Sequence, residues 1–403
     1  MRGIKWLLAL IFVTASCTLS GCWNRKEMND LAIVLAIGVD RIEQEYRVTV
    51  QVADPSQMIR PSPGTRAAGL IYSEKALTVY EALRKITTKS PRQLYYGHLG
   101  MLFLNEAAAR EGFGKFGDLF FRMPETRPDF NVVVAHNVTT RDMLSMVPPF
   151  EIVPAIDFYK SLQNSEAEWA PTTSASVFDL MQQISTDGWE PALTAITMIG
   201  DRKGAMSQDN VKQPRSLGEF KYEGIAVFKD DKLVGLLNEQ DSKSYAYLLN
   251  KVSSTVAHLS CPSSEDELTV VINKATSRII PRIRDGEPYA QINMYFDVSI
   301  AECDCKDFDL TKADTYRRIE SEGRKATNEI IGGGIRRVQR KFRSDIYGFG
   351  AAFHRKYPKQ WHSWKDDWNR RFSKMPIELI VDYNVRKIGE IVNPILPANP
   401  DEE

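Results

Sequence analysis

The chain has 403 residues, with 52 basic and 52 acidic side chains and a formal net charge of zero at neutral pH. This length is more than one hydrophobic core usually sustains, so two or three domains are expected. Hydrophobic residues make up 43% of the chain, which lets each domain bury a core.

The first predicted element is an export signal. Arg2 and Lys5 give a positive start, residues 6–15 form an apolar run, and Leu19-Ser20-Gly21-Cys22 follows. This order is typical of a bacterial lipoprotein signal, and the apolar run is too short to cross a bilayer, which takes about 20 residues. We therefore predict a signal peptide at 1–21, cleavage before Cys22 and lipid, such as palmitate, on Cys22. An ordinary secretory signal with a chance cysteine is the alternative.

Strands and helices alternate through the first half of the mature chain. Two β-rich runs predict a hairpin at 31–53, and a cluster of proline and glycine at 55–69 marks a linker. Thr78-Val79-Tyr80-Glu81 has the pattern of a capping box and predicts the start of a helix. The elements that follow are a strand at 99–104, a helix at 106–111, a helix around 116–120, a strand at 131–135, and helices at 152–162 and 176–185.

The second half begins with a strand at 192–199, a hairpin at 224–237 and a polar helix at 241–258. Asp285-Gly286 joins two long strands, at 268–283 and 289–301, and is a strong hairpin signal. The remaining predicted elements are a helical run at 310–343, an aromatic-rich helix around Trp361, Trp364 and Trp368, and a strand at 377–386.

Three consecutive glycines, Gly332 to Gly334, interrupt the helical run. Each glycine costs about 1 kcal/mol relative to alanine inside a helix, so either the helix breaks here or close packing compensates. No Lys-Ser or Lys-Thr follows them, which argues against a phosphate-binding loop.

These elements predict an α+β protein of three domains, each a mixed or largely antiparallel sheet packed with helices. The hairpin at 31–53 is too small to be stable alone, and the next β-rich region is 192–237. We therefore predict a discontinuous first domain (22–55 plus 190–258), an inserted second domain (56–189), a third domain (259–395) and a tail (396–403).

Cysteine and histidine give no catalytic or metal site. After loss of the signal and lipidation of Cys22, the remaining cysteines are Cys261, Cys303 and Cys305, so one bridge is possible, from Cys261 to either of the others. Three sulfurs without a histidine near in sequence make a poor zinc site. No H-E-x-x-H or G-x-S-x-G motif occurs. We predict no enzyme activity, no metal and no cofactor beyond the covalent lipid.

Basic residues are concentrated near the end of the chain. Residues 310–375 contain 17 Lys or Arg and 7 Asp or Glu, and outside a membrane this excess favours anionic headgroups or an acidic protein surface over nucleic acid. A merely solvated basic face is the alternative. The candidate contact residues are Arg336, Arg337, Arg340 and Lys341, together with Arg122 and Arg127 between a helix and a strand.

Several segments in order resemble one known family. They are Cys22 to Asp30, Ala32 to Val34, Ala36 to Asp40, Arg92 to His98, Glu106 to Gly112, Phe121 to Arg127, Glu223 to Gly235, Phe349-Gly350, Tyr357-Pro358 and Trp361. Taken together, they resemble the Ger(x)C family, the C-subunit lipoproteins of spore germinant receptors.

This resemblance implies three α+β domains on the outer face of the spore inner membrane. It implies complex formation with polytopic A and B subunits, a role in nutrient-triggered germination, and no catalysis. The alternative class is the substrate-binding lipoprotein of a membrane transporter. That class would have two α/β lobes with a ligand cleft between them, and the antiparallel hairpins at both ends of this chain argue against it.

Overall fold

The computed structural model describes residues 3–6, 30–53, 69–261, 266–306 and 308–386. Strands account for much of this range and fall into two sheets. The strands are β1 (Leu31–Ile42), β2 (Glu45–Ala53), β3 (Gly69–Ala76), β4 (Gln93–Tyr95), β5 (Met101–Asn105), β6 (Asn131–Ala135), β7 (Ala192–Gly200), β8 (Gly218–Lys229), β9 (Lys232–Leu236), β10 (Thr255–Ser260), β11 (Glu267–Arg284), β12 (Glu287–Cys303) and β13 (Ile377–Arg386).

Helices cover these sheets. Their bounds between residues 69 and 386 are α1 (Val79–Ile86), α2 (Glu106–Glu111), α3 (Leu119–Arg122), α4 (Thr140–Leu144), α5 (Pro154–Glu168), α6 (Val177–Ser185), α7 (Arg202–Ala205), α8 (Glu239–Leu248), α9 (Ala313–Arg337), α10 (Phe349–Lys356), α11 (Pro358–Trp364) and α12 (Trp368–Phe372). Short 3-10 helices lie at Phe113–Lys115, Gln208–Val211 and Lys365–Asp367, and a π-helical turn at Val338–Phe342 continues α9.

The first sheet has nine strands in the order β3-β2-β1-β5-β6-β7-β8-β9, with β4 pairing beside β1. Strands β1, β5, β6 and β7 are parallel to one another, and the outer pairs are antiparallel. Side chains of β5 alternate between two cores: Leu102 and Leu104 pack on one face, and Met101 and Phe103 pack on the other. This alternation is the period of two that a strand buried on both faces requires.

The second sheet has four strands in the order β10-β11-β12-β13. Asp285 and Gly286 both have positive φ, 51° and 79°, in the turn between β11 and β12, which confirms the predicted hairpin. The last strand, β13, pairs with β12 in parallel. Helix α9 covers this sheet through Ile319, Ile331 and Ile335, in a core that also contains Ile225 and Val227 of β8.

The α+β class predicted from the sequence is confirmed, but the described strands form two sheets rather than one sheet in each of three domains. Strand β1 pairs with β5 inside the segment predicted as an inserted domain. The predicted first domain (22–55 plus 190–258) and second domain (56–189) therefore contribute strands to the same sheet. The reason is that the hairpin finds its neighbour in a parallel pairing, which local sequence patterns do not reveal.

One local prediction was wrong, and one strand was not predicted. Residues 255–258, predicted as the end of a helix, belong to β10, because α8 ends at Leu248 and Asn250 takes a positive φ of 56°. Strand β3 begins at Gly69, where the sequence predicts the end of a linker.

Helix α9 continues through its three glycines, and close packing explains the last of them. A Cβ on Gly334 would lie 2.5 Å from Ser244 Oγ and 2.8 Å from the backbone oxygen of Asp241, both on α8. Of the two predicted outcomes, a break or a close contact, the structure has the close contact.

Alanine at position 334 should therefore destabilise the protein although alanine favours helices. We expect Gly334→Ala to cost about 1 to 3 kcal/mol, because overpacking a fixed helix pair outweighs the gain in propensity. Gly333 is the matched control, since a Cβ there meets nothing within 4 Å. Gly333→Ala should be neutral or stabilising by up to about 1 kcal/mol. Urea unfolding of both variants measures the difference, and equal effects would contradict the close contact.

A disulfide joins Cys261, next to the end of β10, to Cys305, just after β12, with the two Cα atoms 5.4 Å apart. The sequence left two pairings open, and this is the one that forms. Cys303 is a half-buried free thiol, and burial raises its pKa.

Candidate contact surfaces

A basic cleft lies where the end of α9 meets the turn before β13. Its volume is about 440 Å³. Three cations, Arg336, Arg340 and Lys374, surround an apolar floor that includes Ile335 and Leu379. Arg336 and Arg340 are four residues apart and therefore lie on the same side of a helix.

The first two glycines of the triplet differ in their surroundings. Gly332 also lines the cleft, and a Cβ on it would lie 3.0 Å from Nη1 of Arg336. The absence of a side chain at this position lets the guanidinium lie back along the helix. Gly333, by contrast, faces open space.

The cleft carries an unbalanced positive charge. Within the part of the chain that the structure describes, no carboxylate lies at ion-pair distance from Arg336, Arg340 or Lys374, and all three are exposed. Unpaired cations beside a partly apolar surface favour an anionic binding partner.

The other two predicted residues of this face have neighbours within the chain. Arg337 forms an ion pair with the buried Asp241 of α8, so it belongs to the contact between α8 and α9. Lys341 lies over the ring of Phe342, with its Nζ 5.0 Å from the ring centroid. The predicted group of four therefore divides: Arg336 and Arg340 join the cleft, and Arg337 and Lys341 do not line it. Lys374 was missed because it lies 34 residues further along the chain than Arg340.

The second predicted group lies at α3 and the loop that follows. Arg122 Nε is 2.9 Å from Asp118 Oδ2, and both side chains are largely exposed. Arg127 is also exposed. Cys22, the predicted lipidation site, lies outside the described residues.

A buried polar joint connects the loop at 186–191 with the segment between the π-helical turn and α10. Asp345 is fully buried and accepts hydrogen bonds from the amides of Phe349 and Gly350 and from Trp368 Nε1. Burial raises the pKa of Asp345 to about 7, even though these donors favour the charged form. The backbone amide of Glu190 donates to the carbonyl oxygen of Asp345 at 2.9 Å.

Glu190 gives this joint a second carboxylate. Its Oε1 accepts a hydrogen bond from Asn369 Nδ2 at 2.8 Å, and its Oε2 accepts one from the Asp230 amide at 2.5 Å. Burial raises the pKa of Glu190, and these hydrogen bonds oppose that rise. No sequence motif marks the joint, since its members come from four separate segments.

A second polar group lies at the carboxyl ends of the parallel strands. Glu106 Oε1 is 2.6 Å from His136 Nδ1, and the Asn137 side-chain amide is 2.8 Å from His136 Nε2. Burial tends to raise the pKa of Glu106, but hydrogen bonds from the Asn137 amide and from His136 lower it. The Asn137 backbone amide also donates to Glu106 Oε1, so this group orients the turn after β6, in which Asn137 has a φ of 54°.

Two further findings concern the described ranges as a whole. Among these residues, no group of three or more His, Cys, Asp or Glu side chains is arranged to hold a metal ion. Within the same ranges, none of the helices combines the length and apolar character needed to cross a membrane.

These surfaces belong to an α+β protein in which α8 packs against strands of both sheets. Two family models match it in chain order: the spore germination protein N-terminal domain over residues 24–198, and the C-terminal domain described as spore germination B3/GerAC like over residues 223–389. The chain belongs to this Ger(x)C family of spore germination proteins, which confirms the resemblance seen in its sequence.

Relatives match over nearly their full length. Spore germination protein KC of Bacillus subtilis (strain 168) is 27% identical over 399 residues, covering 97% of this chain and 98% of the relative. Spore germination protein GerQC of Bacillus cereus is 21% identical over 388 residues, covering 96% and 99%. The crystal structure of the GerBC protein matches with a TM-score of 0.54 and 17% identity, over 87% of this chain and 97% of that one, and shows the shared fold.

Proposed function

We propose that this chain is a lipid-anchored, non-enzymatic subunit of a spore germinant receptor, required for nutrient-triggered germination. Cys22 carries the lipid, and the folded part lies on the outer face of the spore inner membrane, in complex with polytopic A and B subunits. The observation that supports this most is the match of both halves of the chain, in order, to spore germination families.

The subunit acts through binding rather than through chemistry. Nutrient binding shifts an equilibrium between states of the receptor, and a subunit whose contacts differ between those states biases that equilibrium. The anchor supports this role because it confines the search for the membrane subunits to two dimensions. No cofactor, metal or nucleic acid is needed.

Loss of the lipidated cysteine tests the anchor. We expect Cys22→Ala to release the protein from membranes or to leave it unprocessed, because a diacylglyceryl group supplies about 0.8 kcal/mol of membrane affinity for each buried methylene. Membrane sedimentation in cells that lack the partner subunits measures this. Cys17→Ala is the control and should remain on membranes, since Cys17 leaves with the signal. A Cys22→Ala protein that stays membrane-bound as a mature, detergent-requiring species contradicts the anchor.

The basic cleft is the docking surface that we assign to an acidic face of a partner subunit. Reversing Arg336, Arg340 and Lys374 to Glu replaces attraction by repulsion. Exposed charge pairs contribute about 0.2 to 1 kcal/mol each, so loss of three pairs lowers the affinity by roughly threefold to 150-fold. We expect copurification with the membrane subunits and the rate of germination to fall, and the wild-type interaction to weaken as salt rises.

A control triple variant separates the cleft from net charge. Lys312, Arg317 and Lys325 are exposed residues at or near α9 that do not line the cleft, and their reversal to Glu changes the charge by the same amount. This control should assemble and support germination as the wild type does. If the cleft variant folds and also behaves like the wild type, the cleft is only solvated, and Arg122 and Arg127 are the next surface to test.

A further inference from the structure

The parallel strands β1, β5 and β6 begin at one edge of the large sheet. Their register sets Ala36 beside Met101 and Met101 beside Asn131. We call the surface around the first residues of β1, β5 and β6 the amino edge. The hairpin of β1 and β2 brings Ala53 next to Ile33, and β3 brings Gly69 next to Ala53, so the start of β3 lies at this edge as well.

Exposed aromatic side chains flank the start of β6. The amide of Phe178, at the start of α6, donates to the carbonyl oxygen of Pro128 at 3.3 Å. Phe121 follows Phe120, whose ring packs edge-to-face on Phe130 at 5.2 Å. Phe178 is 56% exposed and Phe121 44% exposed. Two phenyl rings at this edge are therefore accessible to water.

More exposed apolar side chains lie on the other face of the sheet at the same edge. Val153 approaches within 3.3 Å of the Cβ position of Gly69, and the adjacent Ile152 is 58% exposed. Tyr159 of α5 is also exposed and lies 3.9 Å from the Cβ position of Gly100, whose amide bonds to the carbonyl oxygen of Leu35 in β1. The apolar groups thus border the edge on both faces of the sheet instead of forming a patch on one face.

The number of residues between Cys22 and β1 limits how far the amino edge can lie from the membrane. Leu31 lies nine positions after Cys22, and a fully extended chain of that length spans at most about 30 Å. A lipid on Cys22 therefore holds the amino edge within that distance of the bilayer. Exposed charges of both signs also lie here: Arg122, which pairs with Asp118, together with Arg127 and Asp129.

We propose that the amino edge is a membrane-contact surface, with Phe121, Phe178 and Ile152 entering the interfacial region of a phospholipid bilayer. This inference rests on the proposed lipid anchor and adds to it an orientation: the parallel strands point away from the membrane. Phenyl and large aliphatic side chains of membrane-surface segments enter the boundary between headgroups and acyl chains, where burial of their apolar area favours binding. Two points of attachment, the lipid and the edge, hold the folded part in one orientation.

Site-specific labels test this orientation. In a Cys303→Ser background, single cysteines at Phe121, Phe178 and Ile152 are labelled with the fluorophore NBD, and the lipidated mature chain is placed in vesicles of equal parts phosphatidylglycerol and phosphatidylcholine. Matched controls are Leu77→Cys and Tyr80→Cys. These exposed residues follow Ala76, which pairs with Tyr46 near the opposite end of β1.

We expect NBD emission at positions 121, 152 and 178 to rise at least twofold on reconstitution and to be quenched by brominated lipid, with no change at positions 77 and 80. Vesicles that float with the protein while all labels remain water-like overturn the inference and leave the anchor standing. A protein that does not float contradicts the anchor, and the inference falls with it. A rise that needs the membrane subunits assigns the edge to a protein partner and also overturns the inference.

Discussion

Replacing Gly188 with alanine should lower the free energy of unfolding by about 3 kcal/mol or more. Gly188 has a φ of 77°, and a Cβ there would lie 2.4 Å from Trp361 Cη2 and 2.7 Å from the Cα of Gly350. Neither neighbour can yield easily, since Trp361 is buried in the core and the second contact is with backbone. The variant therefore has to separate the loop at 186–191 from α10. Urea unfolding followed by tryptophan fluorescence measures the loss.

Gly286 supplies the control for backbone conformation. Its φ is 79°, nearly that of Gly188, but a Cβ there meets nothing within 4 Å. Gly286→Ala should therefore cost only the left-handed conformation, about 1 to 2 kcal/mol. Equal losses in the two variants would show that the close approach of the two segments contributes nothing to stability.

The stability of the protein should fall as pH rises from about 4 to about 7, with Asp345 as a main cause. Burial raises the pKa of this carboxyl from its usual 3.8 to about 7, so the folded protein binds the proton more tightly than the unfolded chain does. The stabilisation is complete below about pH 4 and is lost as pH rises through 7. Each pKa unit corresponds to about 1.4 kcal/mol, so the change is up to about 4 kcal/mol.

Asp345→Asn removes this titration and keeps the size of the side chain. One of the donors that face Asp345 then meets the NH2 group of asparagine, which cannot accept a hydrogen bond. This mismatch lowers the free energy of unfolding by about 1 to 3 kcal/mol. We expect the variant to be less stable than the wild type at pH 5 and to match or exceed it at pH 8.5. Unfolding midpoints at both pH values measure this crossover. Parallel pH profiles for the two proteins would mean that Asp345 stays ionised, and that Glu190 beside it or another group carries the pH dependence.

Local sequence patterns predicted most helices and strands, but they did not predict which distant strands pair. Helix α2 and strand β13 have the predicted bounds, because capping residues, glycine and alternation mark their ends in the sequence itself. The pairing of β1 with β5 joins residues about 65 apart, and nothing in either strand specifies the other as its neighbour. The division into domains depended on that pairing, and this is why a single sheet includes two regions that the sequence had separated.

Only part of the basic cleft could be predicted from the sequence. Arg336 and Arg340 are spaced by four residues, so a helix places them together. The same spacing places Arg337 and Lys341 on a neighbouring face, which the predicted group of four did not take into account. That Arg337 meets Asp241, and that Lys374 completes the cleft, depends on packing between distant segments. The joint around Asp345 was missed for the same reason.

The last strand has a consequence for how the protein matures. Strand β13 pairs with β12 across a connection of more than 70 residues, and Tyr383 stacks on Phe296 and fills the space beside Gly323 of α9. A chain that is still being synthesised lacks this strand, so α9 has no complete surface to pack on until the carboxyl end has left the ribosome. Assembly of the second sheet therefore follows synthesis of the whole chain, and partners that require this sheet meet only finished molecules.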